Sequence, residues 1–232
     1  MSAAVSTLSY STPSAPGWLH RALRHRSFVI GAVLSALLIL AALLSFVWTP
    51  WSPYEMDLAN KLASPSGTHW LGTDAFGRDV ASLLLVGARN SILVGVIAVG
   101  IGLTIGTALG LLAAAKRGWV EELIMRLADF TFAFPAILSA IMMTAVFGAG
   151  IVNSIIAIGI FNIPTFARVT RASANAVWSR EYILASRACG KGSWRITLEH
   201  VLPNILSVLI VQATIQFAIA ILAEAADKVE KA

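Results

Sequence analysis

The sequence predicts an all-α, polytopic bundle of about five membrane-crossing helices, and three observations carry that prediction. The 232 residues are 57% hydrophobic and 12% charged, with a mean hydropathy of +0.78, whereas a soluble domain carries about 25% charged residues. Several apolar runs reach the length of about 20 residues that crosses a hydrocarbon core of ~30 Å. Lysine and arginine fall in the segments between those runs. A net charge of +5 with no basic stripe interleaved with aromatics argues against a nucleic-acid surface and for a positive-inside membrane protein.

Residues 1–27 are rich in Ser, Ala and Pro and end in Arg21, Arg24, His25 and Arg26, which makes them a cytoplasmic tail. Phe28 to Trp48 follow without a charge. A signal peptide has a shorter apolar core and a small-residue cleavage site; here Trp48-Thr-Pro-Trp51 follows instead, an interfacial anchor after an uncleaved first span, 28–48. Segment 49–89 is read as external, because it holds few basic residues. Further spans are expected at about 90–114, 127–147, 150–167 and 204–225. Loops near 116–126 and 168–203 carry Lys116, Arg117, Arg126, Arg168, Arg171, Arg180, Arg187, Lys191 and Arg195, which places both in the cytoplasm. The membrane domain is thus expected over 28–226, with a polar tail at 227–232.

Ala98, Gly102, Gly106, Gly110 and Ala114 put a small residue at every fourth position of the second span. Such a lane lets another helix backbone approach closely, and helix packing is its expected use rather than gating. Pro135 and Pro164 are expected to kink their spans or mark unwound stretches. Arg126 and Asp129 are expected to form a local ion pair. Asn153 and Asn162, nine residues apart, do not share one helix face. Gln212 and Gln216 do share one, with Glu224 further along; they are candidates for a translocation path or for interhelical hydrogen bonds. The single cysteine, Cys189, excludes an intrachain disulfide and is read as a small residue packed on a short helix.

Two polar segments carry more than hydropathy. The first is His69-Trp-Leu-Gly-Thr-Asp-Ala-Phe-Gly-Arg-Asp79. It reads as a turn at Gly72 with Thr73 or Asp74 capping a helix through 75–88. His69, Asp74 and Asp79 lack a recognised metal spacing. The second runs from Arg180 to Cys189, a short amphipathic helix with Ile183, Leu184, Arg187 and Ala188 at helical spacing. Gly190 is its expected stop, and Leu202-Pro203 is expected to end the loop where the last span begins.

The pattern Ala185-x4-Gly190-x11-Leu202-Pro203 resembles the EAA loop of bacterial ABC transporter permeases. The string His69, Leu71, Gly72, Thr73, Asp74, Gly77, Arg78 and Asp79, continuing into Ser82 and Gly87-Ala-Arg89, looks like the segment before the second span in permeases of the peptide/nickel uptake family, closest to the C-type dipeptide and oligopeptide subunit. The resemblance covers about residues 20–226. It implies a bundle of the MetI-like importer permease type, set in the bacterial inner membrane. Glu181, Leu184, Ala185, Ser186, Gly190, Leu202 and Pro203 would then belong to the ATPase-coupling segment. The motif's Glu falls on Leu184 and its second Ala on Ser186, with Glu181 one turn earlier.

The implied partners are ABC ATPase subunits, a second, homologous permease in a heterodimer, and a periplasmic substrate-binding protein. No cofactor is expected on this chain, and ATP would be used by the partner subunits. The sequence holds no Gly-rich phosphate loop with Lys and no nucleophilic or His-Glu-x-x-His set. A secondary transporter would show midplane charges or inverted repeats, and neither is present. Peptides are the expected cargo, with nickel, opines or glutathione as alternatives. The family has six spans; here Ile221 to Ala226 lead into Asp227-Lys-Val-Glu-Lys-Ala232. The sequence-based expectation is a chain cut short near residue 226, for which a non-transporting remnant is the alternative function.

Overall fold

The computed structural model describes residues 23–133, 148 and 150–230, the side chains of 224–230 excepted. Regular structure among them is helical. Helix α1 is Arg26–Val47, α2 Val80–Lys116, α3 Gly118–Ala133, α4 Ile151–Trp178, α5 Glu181–Ala188, α6 Ser193–Ile196 and α7 Leu202–Glu230. A π-helical turn, Thr197–Val201, joins α6 to α7. Four helices are long and apolar enough to cross a membrane: Arg26–Val47, Val80–Lys116, Ile151–Trp178 and Ser193–Ala223. The expected span at 127–147 lies largely outside the described residues, as does Pro135.

Helix α1 is apolar on all sides, and only Ala42 and Ser45 are buried. At 1.5 Å per residue its 22 residues extend about 33 Å, enough to cross the hydrocarbon. Helix α2 is the centre of the bundle and packs against α1, α3, α4 and α7. It starts ten residues before the expected span, because Asp79 caps it and Ser82 and Val86 are already buried against the protein. The cap therefore comes from Asp79, not from Thr73 or Asp74, and no separate helix over 75–88 exists. Arg117 (φ 53°) and Gly118 (φ 61°) turn the chain sharply into α3.

The small lane of α2 meets α4 directly. A Cβ on Gly102 would stand 2.3 Å from Asn162 Cβ, one on Gly106 2.5 Å from the Ile163 carbonyl oxygen, and one on Gly110 2.6 Å from that of Ala167. The lane is a packing surface. Helix α4 continues through Pro164 without an unwound stretch and runs eleven residues past the expected end at 167. Arg168, Arg171 and Ser173 lower hydropathy without breaking a helix, and Thr170, Ala174 and Trp178 extend the buried face at helical spacing.

Ion pairs tie α3 to α4: Arg168 pairs with Asp129 and Arg171 with Glu121. Arg126 pairs with Glu122 one turn away, 2.6 Å, so the expected Arg126–Asp129 pair is replaced by two others. The cross-helix partner takes Asp129 because α4 lies alongside, which sequence neighbourhood cannot reveal. Residues 168–203 are accordingly not a loop. The irregular chain in that stretch is confined to 179–180 and 189–192.

Candidate functional site

Two constructions stand at opposite ends of α2 and α4. The first, residues 51–82, covers the N-terminus of α2. Asp79 Oδ2 accepts from the Ser82 N–H and the Ser82 hydroxyl, both 2.8 Å, and Asp79 Oδ1 accepts from His69 Nδ1 at 3.0 Å. The Trp51 N–H donates to Ser82 Oγ at 3.0 Å and the Trp51 indole N–H to the Thr68 carbonyl at 2.9 Å. Thr73 donates its hydroxyl to the Asn60 carbonyl and accepts from the Ala63 N–H, 2.8 Å. Asp74 accepts from the Phe76 and Arg78 N–H groups, 2.9 Å each, and from Arg78 Nε, 2.8 Å.

Gly77 takes φ 76°, and a Cβ there would fall 1.7 Å from the Asp57 carbonyl oxygen. Of the motif's fixed residues, His69, Thr73, Asp74, Gly77, Arg78 and Asp79 are thus each used to fold the segment, while the Leu71 side chain is exposed. The left-handed Gly72 lies against the Ala63 carbonyl.

Burial pushes the Asp79 carboxyl up, but the Ser82 N–H, the His69 ring and the Ser82 hydroxyl outweigh it and hold the group below its ordinary value of 3.8. Asp74 is lowered likewise, burial being outweighed by its bonds to Arg78 and Phe76. A depressed carboxylate adds stability above its unfolded-state value and loses it as pH falls through the folded value. The segment is therefore expected to loosen below about pH 4. Asp79→Ala should remove about 1 kcal/mol, the usual worth of such a cap. Trp51 fluorescence during acid titration measures both effects. A variant titrating like the parent would show that Asp79 does not hold the segment.

The second construction is the hairpin of α5 and α6. Gly190 has φ 81°; its N–H donates to the Arg187 carbonyl at 2.9 Å, and the Lys191 N–H donates to that of Ser186 at 3.2 Å. This pair of bonds is a Schellman stop, in which glycine takes the left-handed residue without steric cost. Ile183 is fully buried in one cluster with Phe166 and Trp178 of α4, Ile196 of α6, Val201 of the π turn and Ile205 of α7. Arg187 lies over the Trp178 ring, 4.7 Å.

Leu184 points outward, 55% exposed, although its spacing suggested the same face as Ile183. One residue on a helix is a 100° turn, and the core takes only Ile183. Glu181, Ala185 and Cys189 are exposed as well, and Ser186 is half-buried. The packed cysteine expected from composition is thus a surface residue at the helix end, beyond the face that Ile183 buries. With Tyr182, Leu184, Trp194 and Leu198, the hairpin presents large apolar side chains outward.

Glu199 is the residue that sequence reasoning missed. Its carboxylate accepts from Lys191 Nζ at 2.7 Å and Arg195 Nε at 2.6 Å, binding the 189–192 turn to the following helix. The signal was available as Arg195 and Glu199 at i and i+4, but only once a helix is known to begin at Ser193.

That early start also changes the role of Leu202 and Pro203, which lie inside a helix running from Ser193 rather than at its beginning. Proline removes one N–H and crowds the carbonyl four residues back. The π turn just before it, with the Leu202 N–H bonded to the Thr197 carbonyl, widens the helix and accommodates the ring. Further along α7, Gln216 is buried and Gln212 half-buried one turn earlier. The Glu224 side chain is outside the described residues. Asn162 is buried at the α2–α4 crossing, and Asn153 donates to the Gly148 carbonyl, 2.7 Å.

Residues 106–226 match the family described as binding-protein-dependent transport system inner membrane component, and 18–65 match the N-terminal TM domain of oligopeptide transport permease C. Among curated proteins, the chain is similar to a dipeptide transport system permease of Alkalihalophilus pseudofirmus, 40% identical over 88% of this chain and 67% of that protein. It is also 37% identical to a glutathione transport system permease of Pectobacterium atrosepticum, over 94% and 72%. A di/tripeptide transport system permease of Pseudomonas aeruginosa is 39% identical over 95% and 74%.

Proposed function

Because the chain belongs to the inner-membrane permease family of binding-protein-dependent transporters, and within it to the C-type peptide permeases, we propose that it forms one wall of a peptide import pathway driven by ATP hydrolysis on separate subunits. It is a multi-pass inner-membrane protein, and the family is one of permease subunits. ATPase subunits and a substrate-binding protein are the partners that family membership implies. A second permease subunit would complete the pathway as a heterodimer.

The observation that supports the mechanism is the placement of Ile183. It joins the exposed hairpin to α4 and α7 through one buried cluster. A force applied to α5 by a closing ATPase dimer moves both long helices together, since a packed interior transmits displacement rather than absorbing it. Glu181 to Gly190 is the contact segment in this reading, with Tyr182, Leu184 and Trp194 as its apolar points. For the contact to do work, it must differ between the open and closed ATPase states. Gln212 and Gln216 are proposed to line the pathway.

Gly190→Arg tests the contact. The site has open space around it, so the cost is the left-handed backbone, about 1–2 kcal/mol for a residue with a Cβ. The variant should insert normally and lose most of its co-purification with the ATPase subunits. Undiminished co-purification would remove the hairpin from the contact.

Di- and oligopeptides are the proposed cargo. Glutathione, itself a tripeptide, is the second reading, favoured by the likeness to a glutathione permease. Reconstitution with the ATPase subunits and the binding protein, followed by uptake of labelled dipeptide and labelled glutathione, decides between them. Uptake without ATP would overturn the mechanism.

A further inference from the structure

Arg89 continues the external motif, yet no bond of the folded segment uses it. It lies ten residues into α2, where its guanidinium reaches the Ser45 carbonyl of α1 only at 3.5 Å and stands 5.1 Å over the Phe46 ring. No carboxylate pairs with it among the described residues. Trp48 and Trp70, with ring centroids 5.8 Å apart, mark the adjacent membrane interface, where amphipathic rings settle. Arg89 is therefore a half-buried cation just inside the interfacial belt.

Directly beneath it is a groove between α1 and α2 of about 270 Å³, lined by Ile39, Leu43, Phe46, Leu93, Val96 and Ile97. Arg89, Leu93, Val96 and Ile97 follow one another at helical spacing on one face of α2. The eight steps from Arg89 to Ile97 run about 12 Å along the helix, away from the tryptophans and toward the bilayer middle. The helices are antiparallel here, so Phe46, Leu43 and Ile39 descend beside them. The groove is thus apolar along its length and cationic at its mouth, and the mouth lies at headgroup depth.

We propose that this groove is a phospholipid site, with the phosphate on the Arg89 guanidinium and one acyl chain between α1 and α2. Each end of the site matches one part of such a molecule. A guanidinium offers a planar pair of donors to phosphate oxygens, and a long apolar channel offers nothing to a hydrated anion. Free phosphate would gain only the mouth, and an apolar partner helix would leave the cation without a counter-charge. Seated there, the lipid would fasten α1, which buries little of itself on the rest of the bundle, to α2.

A photoactivatable amino acid placed at Leu93, in the full chain in bacterial membranes, tests the proposal. Irradiation should give an adduct of phospholipid mass that a phospholipase shortens. Arg89→Gln should lower its yield several-fold, and Arg89→Lys, which keeps the charge without the planar fork, should restore only part of it. The same probe at Val211, exposed on α7 away from the groove, should give a yield that Arg89→Gln leaves unchanged, which separates loss of the site from loss of the fold. An adduct at Leu93 indifferent to Arg89→Gln would mean ordinary boundary lipid and overturn the site. A polypeptide adduct would assign the groove to another subunit and overturn it equally.

Discussion

Gly106→Leu is expected to leave insertion of the individual helices intact and to prevent their assembly. A Cβ at this position would stand 2.5 Å from the Ile163 carbonyl oxygen and 2.6 Å from Phe166 Cβ. The first of these is backbone and cannot swing aside. Helix α4 would have to retreat, which also opens the contacts at Gly102 and Gly110, one turn away in each direction. In lipid, nothing but packing and polar contacts holds two helices together, so no water-driven collapse would restore the pair. Overpacking of a tight core typically costs about 1–3 kcal/mol, and a clash against backbone belongs at the upper end or above. The measurement is thermal unfolding in detergent together with protease resistance in membranes. Gly100→Leu, on the same helix with open space at its Cβ, is the control and should behave like the parent. Equal stability of the two variants would show that the glycine lane is not what sets the α2–α4 distance.

Ile183→Asp is expected to release the hairpin while the long helices stay in place. Burying an isoleucine side chain is worth about 1.5–3 kcal/mol, and an unpaired carboxylate in its position adds several kcal/mol of desolvation. An eight-residue helix does not persist in water by itself, so α5 should unfold locally rather than carry the charge inward. Protease cleavage within 179–192 should rise, Trp178 emission should shift as its shield leaves, and co-purification with ATPase subunits should disappear. Leu184→Asp, one residue on but exposed, should keep the hairpin folded and weaken only the association. Coupled ATP hydrolysis that survived Ile183→Asp would end the lever reading, because the chain would then transmit closure without its buried link.

The contrast between these neighbours shows where sequence reading stops. Helical spacing puts Ile183 and Leu184 in one apolar group, and composition alone cannot say which of them faces α4. The glycine lane was legible because its meaning is steric and local: a small residue every fourth position admits a backbone whatever that backbone is. The Schellman stop at Gly190 was legible for the same reason. The α4 extension to Trp178 was not, because hydropathy falls at Arg168 and Arg171 while the buried face continues through Thr170 and Ala174. The Arg168–Asp129 pair and the Glu199 clamp were hidden too, one by distance along the chain and one by an unrecognised helix start.

The amino-acid sequence by itself determined that this is a helical membrane protein, where the crossings Arg26–Val47 and Ile151–Trp178 begin to within two residues, and which two polar segments set it within a permease family. Those properties follow from hydrophobic length, charge placement and residues with restricted backbone freedom, all readable without neighbours. Only the tertiary structure decided that the 69–79 motif folds chiefly around its own side chains, that Ile183 binds the hairpin to two long helices, and that Arg89 stands over an apolar groove. The last two are contacts between residues far apart in the chain, and their meeting depends on how whole helices pack; the first joins near neighbours through side-chain directions that spacing alone does not give.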